Sequence, residues 1–151
     1  MAVPINLMLN STLALDLNPR PASIVLVSGP DDALRRALSR VLAYEGFAVV
    51  PVPDLLRALM YLNREIEAEH YDAVPDVVIT DVPSGADHDE ALALARSVAR
   101  RVPVVLVTDA GDANALADSP CGSIIEMVEK PVTASKLTAA VLRAKIRRRR
   151  Q

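Results

Sequence analysis

Short apolar runs alternate with stretches of helical period from residue 23 to the end of the chain, and this rhythm constrains the fold more than any other feature. The runs are SIVLVS (23–28), FAVVPV (47–52), DVVIT (76–80), VPVVLVT (102–108) and SIIEMVEK (123–130). Each is too short for a buried helix and nearly continuous in β-branched or aliphatic residues, the pattern of strands covered on both faces. Between them the period changes. Leu34, Leu38, Val41 and Leu42 share one helical face, and Gly46 can close that helix. Pro53 and Asp54 open a second helix, with Leu55, Leu59, Leu62 and Ile66 in step. A third covers about 88–101 with Leu92, Ala95 and Val98, and a short weak one lies at 112–118. Thr133 caps a final helix through Arg149, with Leu137, Val141 and Ile146 inward. Five strands alternating with five helices predict an α/β chain with a doubly wound, five-stranded parallel sheet.

Half of the residues are apolar, yet there are three Tyr, one Phe and no Trp, so the core is aliphatic. At 151 residues the length suits one domain, placed at 23–149. Residues 1–22 are rich in Leu and Met and have no steady period. They form an arm, either a loose tail or a segment that packs on its own domain or a second subunit. The net charge of −2 does not favour nucleic acid or membranes. No apolar run reaches the roughly 18 residues of a membrane helix, and the N-terminus lacks a basic signal region. Cys121 is the only cysteine, which excludes an internal disulfide. These features predict a cytoplasmic protein. Six of the 17 Lys and Arg crowd into RAKIRRRRQ at the end, read first as a solvated helix terminus and otherwise as a contact for an acidic partner or nucleic acid.

In an open parallel sheet, ligands bind beyond the carboxyl ends of the strands. Those ends carry Asp31 and Asp32 after the first strand, Asp81 after the third, Thr108 and Asp109 after the fourth, and Lys130 after the fifth. A carboxylate there can attack a phosphoryl group, while an ammonium and a hydroxyl hold its oxygens. A divalent metal would screen the repulsion between carboxylate and phosphate.

YEGFAVV, DVVITD, VPVVLVT and EKPV, in this order along the chain, resemble the signature segments of response-regulator receiver domains. The offsets of 27 residues from Asp81 to Thr108 and 22 from Thr108 to Lys130 suit that family. The resemblance implies the flavodoxin-like strand order 2-1-3-4-5. It also implies a phosphoacceptor at Asp81, with Thr108 and Lys130 as phosphate partners, and Mg²⁺ bound at Asp81 with acids after the first strand. The implied partners are a sensor histidine kinase or phosphotransfer protein and a downstream protein. A homodimer through the face of strands four and five is also implied, and the apolar N-terminal arm offers a second route to one. The chain would be a single-domain signalling module of a two-component phosphorelay, catalysing nothing beyond its own phosphorylation and dephosphorylation.

The departures support a second reading, a pseudo-receiver that binds proteins without phosphorylation. Ser28-Gly29-Pro30 stands where the family has adjacent acids. Asp31 and Asp32 either serve Mg²⁺ or cap the first helix. DVPSGADHDE lacks the usual acceptor loop, Asp109 adds a negative charge, and Met127 replaces an aromatic switch residue. The second helix is expected to run about two turns longer than usual.

Overall fold

The computed structural model describes residues 23–82, 88–109 and 125–149. The strands are β1 (Ile24–Ser28), β2 (Ala48–Val52), β3 (Val77–Asp81), β4 (Val104–Thr108) and β5 (Ile125–Glu129). The described helices are α1 (Asp32–Tyr44), α2 (Leu55–Glu67), α3 (His88–Ala99) and α4 (Ala134–Arg149), with a 3₁₀ turn at Tyr71–Ala73. All strand pairs are parallel, and the order is β2-β1-β3-β4-β5. The described residues thus hold four α-helices. The weak helix expected at 112–118, Cys121 and the arm at 1–22 lie outside them.

The continuous apolar strands are explained by two cores. Side chains alternate across a strand. Val25, Val27, Val77, Ile79, Val105 and Val107 therefore face one side, where Leu38 and Leu42 of α1 and Leu137, Val141 and Ala144 of α4 meet them. Leu26, Val78, Val104 and Leu106 face the other, against Leu55, Ala58 and Leu62 of α2 and Ala95 and Val98 of α3. Either face left uncovered would return its whole set to water, at about 25 cal/mol per Å².

Local signals set the helix ends. Asp31 caps α1, its Oδ1 accepting from Leu34 N at 3.0 Å, and Gly46 follows the helix at φ +95°. Asp54 caps α2 by accepting from Arg57 N at 2.9 Å, and Thr133 caps α4 by accepting from Lys136 N at 3.2 Å. Two expectations change. Ile146 is 50% exposed, and the inward positions are Leu137, Ala140, Val141 and Ala144. Ile146 lies five residues beyond Val141, which at 3.6 residues per turn rotates it well off the buried stripe. Helix α2 has 13 residues, the same as α1. The extra chain before β3 goes partly into the 3₁₀ turn instead of two further helical turns.

Candidate functional site

The strand order reverses direction between β1 and β3, and a crevice opens at their carboxyl ends. Register fixes what meets there. Ser28 pairs with Thr80 across β1 and β3, and Asp81 pairs with Val107 across β3 and β4. Thr108 follows Val107 and pairs with Glu129 of β5. Lys130 is the next residue, and its N–H donates to Thr108 O at 2.8 Å. The Lys130–Pro131 peptide is cis. Asp81, Thr108 and Lys130 come from three adjacent strands and are gathered on one edge by the parallel ladder alone.

The side chains make a small charged cluster. Lys130 Nζ lies 3.1 Å from Asp81 Oδ1 and 3.2 Å from Asp109 Oδ1. The Asp81 side chain is 10% exposed, whereas that of Asp109 is 48% exposed. Burial would lower the Lys130 pKa, but hydrogen bonding and charge attraction from Asp81 and Asp109 outweigh it and hold the ammonium above its usual range. Thr108 is 1% exposed, and its Oγ1 has no hydrogen-bond partner among the described residues. A buried hydroxyl left unpaired costs free energy. Beside Asp81 lies an open cleft of about 400 Å³, lined by Gly29, Pro30, Asp54, Thr80 and Glu90 among others.

The first-strand loop is held close. Gly29 is buried, with φ +155°, and a Cβ placed there would stand 3.1 Å from Asp81 Cβ. Arg35 Nη1 donates to Gly29 O at 2.5 Å, and Arg35 also pairs with Asp32 at 2.5 Å.

No protein-family model and no curated protein matches the sequence. Solved structures do match. A response regulator receiver domain protein from Clostridium thermocellum is 24% identical, with TM-score 0.63, over 84% of this chain and 97% of its own. A response regulator receiver protein from Sinorhizobium medicae is 24% identical, with TM-score 0.57, over 84% and 97%. The receiver domain of NtrX from Brucella abortus is 25% identical, with TM-score 0.60, over 81% and 98%. This chain has the fold of these receiver domains.

A receiver fold implies Mg²⁺ at this edge, and the described residues do not fit one. Mg²⁺ needs an octahedral set of oxygens, normally anchored by one or two carboxylates beside the phosphate. Asp31 and Asp32, expected as ligands, are engaged elsewhere: Asp31 caps α1, and Asp32 pairs with Arg35 and with Arg36 at 3.1 Å. Ser28 Oγ lies 3.4 Å from Ile79 O, an interior contact. Among the described residues, no three His, Cys, Asp or Glu side chains are grouped to hold a metal. The loop at 83–87, which follows Asp81 and Val82, lies outside the described residues.

Two features escaped the sequence reading. Asp109 joins the Lys130 cluster, although its sequence position marks it only as a second charge near phosphate. Glu126, 8% exposed on β5, pairs with Arg143 at 2.9 Å and Arg147 at 2.8 Å. Part of the basic terminus is therefore matched within the fold, and the signal was a carboxylate inside an apolar strand. Among the described residues, no helix is long and apolar enough to cross a membrane.

Proposed function

We propose that this chain is a receiver-type module of two-component phosphorelay signalling, with Asp81 as the phosphoryl acceptor. The observation that carries this reading is the contact of Asp81 Oδ1 with Lys130 Nζ at 3.1 Å, beside the unpartnered Thr108 hydroxyl. In the proposed step, a carboxylate oxygen of Asp81 attacks the phosphorus of a phosphohistidine on a sensor kinase or phosphotransfer protein. An O–P bond forms and the P–N bond breaks. The imidazole nitrogen keeps the electron pair and takes a proton from solvent. Lys130 then balances one phosphoryl oxygen, and the Thr108 hydroxyl donates to another. The protein acts only on its own aspartate, so it is a switch and not an enzyme with turnover. Residues 23–149 would form the signalling domain, working in the cytoplasm, with 1–22 as an arm. A downstream protein, or a second copy, would read the β4–β5 face. Met127 on that face cannot act as an aromatic rotamer switch, so the change would travel through shifted populations of the strand ends.

A second reading is favoured by a specific observation. Ser28-Gly29 replaces an acid pair, and Lys130 is already shared between two carboxylates. Such a site suits a scaffold that binds partners without phosphorylation. Intact mass after incubation with acetyl phosphate separates the two. A single phosphoryl adduct that disappears in Asp81→Asn is expected. No adduct, or one that persists in Asp81→Asn, refutes Asp81 as the acceptor.

A further inference from the structure

We infer that the Asp81 site works without a divalent metal, with the Lys130 ammonium, shared between Asp81 and Asp109, supplying its positive charge. The inference deepens the receiver reading and rests on it only for the place of Asp81 in the fold. Three observations converge. First, a glycine and not an acid stands beside Asp81 on the β1 side, and its backbone lies close. Gly29 approaches so closely that even a methyl group would meet Asp81 Cβ at 3.1 Å, and the Arg35 bond to its carbonyl holds the loop there.

Second, Asp31, Asp32 and Asp54, three of the carboxylates near this edge, have other partners. Asp31 accepts from the first turn of α1, and Asp32 faces Arg35 and Arg36. The adjoining cleft carries Asp54 and Glu90, but Asp54 caps α2 and pairs with Arg57 at 2.6 Å. Third, Lys130 Nζ already faces Asp81 Oδ1 at 3.1 Å, which leaves a cation only the other oxygen of this carboxylate. That same nitrogen holds Asp109 at 3.2 Å. A divalent ion on that other oxygen would sit close to the ammonium, and like charges this close repel in a shielded site. Mg²⁺ gives up its water reluctantly and tolerates poor geometry badly, so one carboxylate oxygen does not suffice.

The test combines a metal titration with a labelling rate, both on the full chain. Mg²⁺ is titrated into wild-type protein and Asp81→Asn while backbone amide shifts of the β1, β3 and β4 carboxyl ends are followed by NMR. No saturable shift at Gly29, Asp81 or Val82 is expected in either protein. The initial rate of adduct formation from acetyl phosphate is then compared in Mg²⁺ and in chelator. The two rates should agree within about twofold, whereas a metal that screens phosphoryl charge accelerates such steps by well over tenfold. Saturable shifts centred on Asp81 that vanish in Asp81→Asn would overturn the inference, as would labelling that requires Mg²⁺. If no adduct forms under either condition, the acceptor reading falls, and the titration still decides the metal question on its own.

Discussion

Replacing Gly29 with alanine tests how tightly the β1–α1 loop is pressed against Asp81. The added methyl would sit 3.1 Å from Asp81 Cβ, a few tenths of an ångström inside ordinary van der Waals contact. Neither side yields easily. Asp81 is the last residue of β3, whose Val82 N–H bonds to Val107 O at 3.0 Å, and Gly29 O is held by Arg35. Overpacking of this kind costs about 1–3 kcal/mol. The φ of +155° adds roughly 1 kcal/mol for a residue with a Cβ. Reduced freedom of the unfolded chain returns about 0.4–1 kcal/mol. The net expectation is a loss of roughly 1–3 kcal/mol, centred near 2. Urea unfolding at neutral pH should show a lower midpoint with an unchanged slope, since the exposed surface is the same. A Gly29→Ala protein within about 0.3 kcal/mol of wild type would refute the reasoning, because the loop would then have room to retreat.

Three further outcomes follow from the structure. Lys130 has its pKa raised above 10.5 in the folded chain, so its contribution is fully present below the unfolded value and is lost as pH rises through the folded one. Thermal unfolding between about pH 9 and 12 should fall more steeply for wild type than for Lys130→Met, and parallel curves would contradict the cluster. Asp31→Ala removes the α1 cap and should cost about 1 kcal/mol in urea unfolding, while leaving acetyl phosphate labelling unchanged. A labelling defect in that variant would return Asp31 to the site. Glu126→Gln removes the charge facing Arg143 and Arg147, whose side chains are about half exposed. The loss should be about 1 kcal/mol or less, shrinking as salt is added, and an effect insensitive to salt would argue against an ion pair.

Much of this was legible in the chain because it depends on neighbours in sequence. The alternation of DVVIT with helical stretches marked strands and helices through the difference between a period of 2 and one of 3.6. Asp54 and Thr133 declared helix starts through short side chains that reach a backbone N–H three residues on. The offsets from Asp81 to Thr108 and Lys130 pointed to one edge, since parallel strands all end on the same side. Ile146 misled the reading because its apolar character was weighed above its spacing, five residues beyond Val141, which turns it off the inward stripe. Asp31 left two uses open, and only the 3.0 Å bond to Leu34 N shows its cap role.

The sequence by itself determined the layers of this protein: five apolar strands, helices with one buried face, and a carboxylate, a hydroxyl and an ammonium at strand ends. These follow from local propensity and from the hydrophobic effect acting on repeating patterns. The tertiary structure decided which charges meet and which spaces stay open. Lys130 joins Asp81 and Asp109, Asp32 is drawn to Arg35 and Arg36, and Gly29 closes on Asp81. Electrostatic and steric forces depend on distance through space, and residues 49 apart in the chain come within 3.1 Å only after the sheet has set its order and register.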